Sequence, residues 1–406
     1  MRKINFLNSQ NIDVLIIDTI GSEYVKHCIP NHASFTILPV RNNLPIIASF
    51  GFLFRLLSHM INLKRLRYAI FFSIIETLKP RVIISFIDNS DDMGILHSQF
   101  PDKLTISIQG GFRSGFNYSE VTYSKHPVSI YYGFGVYGQK VLQDGNVNMG
   151  EYVSAGSLKF GLFKKQVTIK HDQISASLHY FHKDLKTLNL TERKRLVELI
   201  KGPVKLEKKY DICLISEFCK NDDSENIMLL EQQEKVFLSL IRICKKFDFS
   251  LCVSLRYEAI HLSDEINYFS EIDTERIAEL IPNNYPFFVA YRVSSNSNVI
   301  VSGNSTLAFE MFGAGKKTLF GASAYNFSLA RKWDLLGNFN KFPDMNLLDD
   351  FNDDSLYQKI NFLLKIDDND YLNQTKKARI QYMNHVDKKP VDELIENRIN
   401  DFLLNV

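Results

Sequence analysis

The sequence predicts an α/β protein with two domains, each built on a parallel sheet that helices cover. The length of 406 residues exceeds one ordinary domain and suits two domains of about 150–200 residues each. Short β-branched runs alternate with helical stretches on both sides of a lysine-rich, polar segment at 164–209. Apolar residues make up 45% of the chain, so both domains can bury a core.

The first domain is predicted to span residues 1–165. Its β-branched runs are interpreted as strands at 12–19, 34–40, 81–88, 104–111, 129–136 and, ending at Gly156 and Ser157, within 152–161. A long helical stretch at about 45–78 separates the second run from the third. Short, almost continuously apolar strands of this kind are typical of parallel sheets that are buried on both faces.

The second half shows the same alternation of apolar strands and helical stretches. The predicted boundaries are 166–208 for a polar connection, 209–350 for the second domain and 351–406 for the closing helices. The domain starts with a strand at 209–218, a helix at 229–246 and a strand at 249–258, followed by a helical turn near 274–281 and an apolar run at 285–290. Two such domains place the carboxyl ends of two sheets around a cleft, where folds of this kind bind ligands.

The stretch VIVSGNSTLAFEMFGAGKKTLFG, residues 299–321, is the most informative part of the chain. A buried strand ends in a small polar cluster and restarts as a helix that Ser305 or Asn304 can cap. Free backbone N–H groups at a helix start attract phosphate. Glu310 lies four residues after Thr306, so both face the same side of the first turns. This pattern predicts an anion site with a carboxylate nearby that can hold sugar hydroxyls.

Residues near the ends of two further strands are weaker candidates for the same cleft. Arg256 follows the strand at 249–258, and a cation there could neutralise a phosphate. The alternative is an ion pair with Glu258 or another surface acid, and both interpretations stay open. Ser216 and Glu217 end the first strand of the second domain.

Residues 290–320, AYRVSSNSNVIVSGNSTLAFEMFGAGKKTLF, resemble the nucleotide-sugar motif of GT-B glycosyltransferases of bacterial surface carbohydrates. Upstream, residues 82–115 resemble the stretch that these enzymes end with Gln-His-Gly, and residues 131–161 resemble the segment closing their N-terminal domain. Order and spacing agree over most of 80–325. The resemblance implies the GT-B fold, two Rossmann-like domains whose parallel sheets face a central cleft. Within the family, Kdo and sialic-acid-like sugar transferases are the nearest, and CDP-glycerol glycerophosphotransferases are more distant.

The resemblance also implies roles for individual residues. Ser305 and Thr306 would hold the donor phosphate, and Glu310 would hold the ribose. The full set of implied donor-binding residues is Ser302, Gly303, Asn304, Ser305, Thr306, Glu310 and Arg256. The implied acceptor or cleft residues are Gln109, Gly110, Gly111 and Arg113, with Gly110 standing where relatives have the histidine.

Transfer to a hydroxyl benefits from a general base, and acids at strand ends of the first domain are the candidates. Asp88, Asp91 and Asp92 follow the strand at 81–88, although DNSDD is also ordinary turn chemistry. We favour Asp88, which closes the strand, with Asp91 second. Acids after the first strand are rivals, namely Asp18 and Glu23.

The composition argues against several other functions. The formal net charge of +2 is nearly neutral and gives nucleic-acid binding no support. The five cysteines form no CxxC pair and the ten histidines are scattered, so neither a metal site nor a cofactor is predicted. No signal-peptide core and no apolar run of membrane-spanning length are visible, which predicts a cytoplasmic protein.

The stretch 44–81 combines aromatic residues with a strong excess of cations. The stretch contains one acid, Glu76, and six Lys or Arg residues: Arg55, Lys64, Arg65, Arg67, Lys79 and Arg81. A basic amphipathic helix of this kind could rest on the anionic inner face of the cytoplasmic membrane, where a lipid-linked glycan is presented. The alternative is a buried helix with a solvated basic edge.

The sequence thus predicts a metal-independent GT-B glycosyltransferase. Its partners would be a nucleotide-sugar donor, CMP-linked by preference, and a glycan or lipid-linked acceptor of a bacterial surface polysaccharide. The nucleotide-sugar is a substrate, so no cofactor is expected. Two alternatives remain open: a CDP-polyol phosphotransferase, and a non-catalytic subunit of a glycan-assembly complex.

Overall fold

The computed structural model of the chain has two parallel sheets, of six and five strands. The structure describes residues 6–7, 10–40, 46–47, 49–62, 65–88, 90, 92–112, 128–144, 149–166, 208–219, 224–257, 261–283, 288–303, 305–320, 342–348, 352–385 and 389–405. All strand pairings within the two sheets are parallel. The predicted α/β class is therefore confirmed, whereas most of the predicted connection at 166–208 lies outside the described residues.

The six-stranded sheet belongs to the first half of the chain. The strands of this half are β1 (Phe6–Leu7), β2 (Val14–Ile17), β3 (Phe35–Leu38), β4 (Ile46–Ile47), β5 (Val82–Ser85), β6 (Leu104–Ile108), β7 (Val128–Gly133) and β8 (Met149–Ser154). The sheet order is β3-β2-β5-β6-β7-β8, and β1 pairs with β4 separately. The central strands β2, β5 and β6 are buried along their whole length, as their continuous apolar sequences predict.

The helices of the first half are α1 (Ser22–Val25), α2 (Phe50–Asn62), α3 (Leu66–Leu78), α4 (Asp92–Gln99), α5 (Val136–Asp144) and α6 (Leu158–Lys164). The predicted helical stretch at 45–78 is thus two helices preceded by a short strand. The prediction of strand as far as Ser157 is wrong, because β8 ends at Ser154 and α6 follows. Gly156 adopts a left-handed φ of +85°, and the Ser157 hydroxyl accepts the Phe160 N–H at 3.3 Å as an N-cap.

The five-stranded sheet belongs to the second half. Its strands are β9 (Tyr210–Ile215), β10 (Leu251–Ser254), β11 (Ala278–Ile281), β12 (Ser297–Ser302) and β13 (Thr318–Phe320). Their order is β11-β10-β9-β12-β13. The accompanying helices are α7 (Ser224–Phe247), α8 (Leu262–Ile272), α9 (Val289–Ser295) and α10 (Thr306–Gly313).

The sequence-based assignment failed at one place in this half. The helical turn expected near 274–281 is wrong, because Ala278–Ile281 is the edge strand β11, while helix α8 just before it was not foreseen. Only the first and last residues of β11 are buried, so its sequence carries a weak strand pattern. Pairing with β10 along four residues stabilises the strand instead.

Three helices close the chain: the first packs in the core of the second domain, and the last two contact the first half. They are α11 (Asp353–Lys365), α12 (Asp368–Tyr382) and α13 (Val391–Asn405). Asp392 on α13 binds Lys165 at 2.6 Å, and Arg398 binds Glu151 at 2.7 Å. The chain therefore crosses between the domains twice. Among the described residues no helix is long and apolar enough to span a membrane.

The apolar core is continuous across the cleft. One cluster of buried side chains runs from the first sheet through Phe288 and Tyr291 into α10, and further to Tyr382 and Met383 at the end of α12. A second cluster fills the second domain between its sheet and α7, α8 and α11. The two domains thus share one packed interface, which fixes the geometry of the cleft between the carboxyl ends of their strands.

Candidate functional site

The turn between β12 and α10 is built around an internal carboxylate. The Glu217 Oε1 atom, just past β9, accepts the Ser302 hydroxyl at 2.7 Å and the Ser305 N–H at 3.0 Å. Ser305, one of the two predicted caps, is the N-cap residue of α10. Its own hydroxyl makes no capping hydrogen bond, and its backbone N–H donates to Glu217. A Cβ on Gly303 would lie 2.6 Å from the Glu217 Oε2 atom, which explains the glycine. The predicted anion site therefore already holds one negative group.

Glu310 is the second acid of the site and is almost fully buried, at 2% exposure. Its Oε2 atom accepts the Tyr291 hydroxyl at 2.7 Å, and its Oε1 atom accepts the Ser157 hydroxyl from the first domain. Burial raises the pKa of Glu310, whereas Lys159 and the two hydroxyl donors act in the opposite direction. A carboxylate offers about four lone-pair sites, so two remain for a ligand. At 2% exposure, Glu310 does not lie on a solvated face of the helix.

Lys159 lies on α6 and brings a positive charge from the first domain to the site. Its Nζ atom sits 5.3 Å from the ring centre of Tyr24 and 5.4 Å from that of Phe86. Tyr24 in turn contacts Phe288 of the second domain at 6.4 Å between ring centres. Aromatic faces attract a cation at such distances, so the rings hold the ammonium group at the domain boundary.

Arg256 lies exposed at the other side of the site, just past β10. Its own N–H and that of Tyr257 donate to the carboxylate of Glu265 on α8 at 2.8 and 2.9 Å. Glu265 is fully buried, and burial raises its pKa. The guanidinium donates to the Phe218 carbonyl at 3.3 Å. Glu258, the partner proposed in the alternative interpretation, lies outside the described residues.

A cavity of about 440 Å³ lies between the domains and unites these groups. The first domain lines it with Tyr24, Gly110 and Lys159, and the second with the ends of β9 and β10 and the start of α10. The predicted donor residues on its wall are Ser305, Thr306, Glu310 and Arg256, together with the weaker candidates Ser216 and Glu217. Among the described residues that line it, the cations are Lys159 from the first domain and Arg256 from the second, and the acids are Glu217 and Glu310.

The loop after β6 closes one side of this cavity. The Phe112 N–H donates to the Thr306 hydroxyl at 3.0 Å, and its ring stacks on Phe309 with centres 3.8 Å apart and planes 3° from parallel. The predicted cleft sequence QGGF therefore contacts the predicted donor helix directly. One hydrogen bond and a stacked ring pair thus connect the two domains here.

The predicted cleft residues of this loop have different roles. Gln109 is buried, accepts the Phe134 N–H at 2.9 Å and donates to the Gly111 carbonyl at 2.9 Å, so it shapes the loop. Gly110 lines the cavity, and a Cβ there would lie 2.8 Å from the Phe86 carbonyl oxygen.

The favoured base, Asp88, lies where the sequence placed it, past the carboxyl end of β5, but it is buried at 5% exposure. Its carboxylate accepts the Tyr131 hydroxyl at 2.8 Å and the Gly110 N–H at 3.3 Å. Asp88 does not itself line the cavity; it contacts the loop that does.

The rival acids have structural partners. Asp92 binds Arg67 at 2.7 Å, and Asp18 accepts the Thr19 N–H at 2.6 Å. Three predicted site residues lie outside the described part of the chain: Asp91, Arg113 and Asn304. Within the described part, the acids of the first domain are absent from the cavity wall.

A glycine pattern typical of dinucleotide loops, GFGVYG at 133–138, follows β7 and leads into α5. The structure uses these glycines for packing. A Cβ on Gly133 or Gly138 would lie within 2.4 Å of the Tyr152 hydroxyl, and one on Gly135 would lie 2.3 Å from the Gln381 carbonyl oxygen. The end of α12 covers this turn, so it presents no open phosphate loop.

Sequence reasoning missed four residues of the site: Ser157, Lys159, Glu265 and Tyr291. Ser157 and Lys159 follow a strand end, and the same rule that drew attention to Asp88 would have found them. Tyr291 lies inside the segment 290–320 that carries the family resemblance. Glu265 lies on helix α8, which the sequence analysis did not predict, and no local sequence pattern marks it as a site residue.

Comparisons with known proteins support the fold. No protein-family model and no curated protein matches the sequence. The chain resembles UDP-GlcNAc 2-epimerase of Methanocaldococcus jannaschii, solved with UDP-GlcNAc and UDP, with a TM-score of 0.55 and 11% identity over 97% of this chain and 100% of that one. The MnaA–UDP structure of S. aureus gives a TM-score of 0.52 at 11% identity, covering 97% and 98%.

The wall teichoic acid polymerase TagF, in its H548A form, gives a TM-score of 0.51 at 10% identity, covering 98% of this chain and 91% of that one. These three likenesses extend over both parallel-sheet domains of this chain. The chain therefore has the GT-B fold, as the sequence resemblance implied. At such low identity the likeness shows the fold and leaves the donor to be established.

The first prediction concerns Glu310. Glu310→Gln keeps the shape but removes the charge. If Glu310 holds the ribose, as the sequence resemblance implies, the loss of charged hydrogen bonds should weaken nucleotide affinity by about 1.5–3 kcal/mol. Tyr291→Phe is the matched control, because it removes one donor to the same carboxylate and leaves the carboxylate in place. Isothermal titration calorimetry measures both. Parental affinity in Glu310→Gln, with a lowered melting temperature, would show that Glu310 only connects the domains.

The second prediction concerns Glu217. Its carboxylate accepts the Ser305 N–H at the start of α10, so a donor phosphate bound there, as the sequence resemblance implies, would displace it or bind against its charge. Glu217→Gln retains an acceptor for Ser302 and Ser305 but removes the negative charge, and nucleotide affinity should rise by a factor of about 3–10. Glu231→Gln, an exposed acid on α7, is the control. Weaker binding in Glu217→Gln would instead make this carboxylate a ligand of the donor.

Proposed function

We propose that the chain is a glycosyltransferase that binds a nucleotide-activated sugar in the cavity between its domains. The observation that carries this proposal is the cavity wall, which combines a helix start, one cation from each domain and a buried carboxylate. The acceptor would be a glycan or a lipid-linked glycan of a bacterial surface polysaccharide, as the sequence resemblance implies.

Each group on the wall suits one part of such a donor. The N–H groups at the start of α10 and the Arg256 guanidinium are suited to phosphate oxygens, because charged donors bind such oxygens strongly. Glu310 has lone pairs left for two ribose hydroxyls. Lys159 approaches from the first domain, where it can stabilise negative charge on the departing phosphate. Because the wall comes from both domains, a bound donor is shielded from water that would compete with the acceptor.

The charge balance of the wall supports a donor with a single phosphate. Two cations, Lys159 and Arg256, face two acids, Glu217 and Glu310, so the described part of the wall has no net excess of positive charge. A diphosphate would meet stronger repulsion from Glu217 than a monophosphate would. Together with the sequence resemblance, this favours a CMP-linked Kdo or nonulosonic acid.

The general base stays a prediction. Gly110 connects Asp88 to the cavity. Its N–H donates to the Asp88 carboxylate, and Gly110 itself lines the cavity wall. In this proposal Asp88 would take the acceptor proton after the loop at 109–112 adjusts to the acceptor. The alternative phosphotransferase would use the same donor cavity but form a phosphodiester.

Nucleotide binding and product analysis test the proposed function. In a thermal-shift series with CMP, CDP, UDP and GDP, CMP should stabilise the chain most, by about 2.7 kcal/mol at a hundredfold excess over its dissociation constant. Incubation with a CMP-linked sugar and a glycan acceptor should then yield free CMP and a glycoside.

The other outcomes decide between the alternatives. A phosphodiester in the product would identify a polyol-phosphate transferase. Nucleotide binding without turnover on any donor would identify a non-catalytic subunit. No stabilisation by any of the four nucleotides would contradict the assignment of the cavity as a donor site.

A further inference from the structure

Helix α2 exposes an apolar stripe along its whole length. The exposed fractions are 93% for Phe50, 50% for Leu53, 76% for Phe54, 61% for Leu57, 48% for Met60 and 85% for Ile61. Their spacing of three and four residues places them on one face of the helix. Scattered apolar residues on a surface are ordinary, but six large ones on one face of a single helix form a patch that marks an interaction site.

The helix is held firmly to the first domain by its opposite side. Phe52 is fully buried in the core, and Arg55 donates to the Thr77 hydroxyl on α3 at 3.2 Å. Arg55 and His59 also contact the Glu76 carboxylate, at 3.8 and 3.1 Å. The neighbouring helix α3 is largely buried and supplies the support. The exposed stripe is therefore the outer face of an anchored helix.

Exposed cations accompany the helix pair α2 and α3, whereas the nearby acids Glu76 and Asp92 are already paired with cations. Helix α2 contains no Asp or Glu, and Arg65 beyond its end is exposed. The side chain of Arg67 is 52% exposed, and Lys79 at the end of α3 is exposed. Glu76, the acid of α3, is already in contact with Arg55 and His59. An apolar stripe with a basic margin is the pattern that binds anionic lipid surfaces.

We propose that the exposed face of α2 docks the first domain onto an anionic lipid bilayer. The apolar side chains would enter the boundary between headgroups and acyl chains, while Arg65 and the neighbouring cations meet the headgroups. A second copy of the chain fits this face less well, because a symmetric contact would bring the exposed Arg65 and Lys79 of both copies towards one another, while the acids Glu76 and Asp92 are already paired. This proposal stands independently of the donor site, since it rests on a different surface.

Vesicle sedimentation in the absence of nucleotide tests the proposal. The full chain should sediment with vesicles of 70% phosphatidylcholine and 30% phosphatidylglycerol at low salt. It should bind pure phosphatidylcholine vesicles much more weakly, and 0.5 M salt should release it, because salt screens exposed charges. Phe54→Ser with Ile61→Ser should lower the partition coefficient at least about tenfold.

Charge and control variants complete the experiment. Arg65→Glu should lower the partition coefficient at least about fivefold, because each cation near an anionic surface contributes to binding. Leu404→Ser changes a side chain that is 71% exposed on α13 and should leave the partition coefficient unchanged. All substituted positions are exposed, so melting temperatures near the parental value should confirm that each variant folds.

Either of two results would overturn the proposal: parental sedimentation of the Phe54→Ser/Ile61→Ser variant, or no sedimentation of the parent with anionic vesicles. If the parent does not bind vesicles, forms dimers by size-exclusion chromatography with light scattering, and becomes monomeric in that variant, the face is assigned to self-association.

Discussion

The buried carboxylate of Glu310 is the interaction on which the site depends. It lies on α10 of the second domain and accepts hydroxyls from Tyr291 beside it and from Ser157 across the cleft. An ionised carboxylate without such partners would be costly to bury. Its position therefore requires both domains to be in place, and it ties the start of α10 to the start of α6. This contact joins the two walls of the cavity, together with the apolar core that the domains share.

Other contacts across the cleft follow from the same arrangement. Phe112 stacks on Phe309, the residue before Glu310, and its N–H donates to the Thr306 hydroxyl. Glu217 lies at the end of β9 and accepts the N–H of Ser305, the N-cap residue of α10. Two acids therefore lie on the cavity wall, Glu217 and Glu310. Under the proposed function, a donor would share Glu310 and would tolerate or displace Glu217.

The sequence predicted the parts of this arrangement that are local. The strand–helix unit around Ser305 and Glu310 was found because a continuous apolar run, a polar turn and a helix start follow each other within a few residues. The contact between Ser157 and Glu310 joins residues 153 positions apart, and no local pattern pairs them. Strand β11 was missed because its stability comes from pairing with β10 rather than from its own sequence. The stretch 44–81 showed an amphipathic pattern, yet only the packing of Phe52 and α3 reveals which face of α2 stays exposed.

Hydrogen–deuterium exchange with and without the most strongly stabilising nucleotide tests the central claim most directly, namely that the donor binds between the domains. Exchange reports local opening, which a ligand suppresses where it binds. The account predicts slower exchange at three separated segments together: 156–161 in the first domain, and 215–219 and 305–313 in the second. Slower exchange confined to one domain, or at segments away from the cavity, would contradict it.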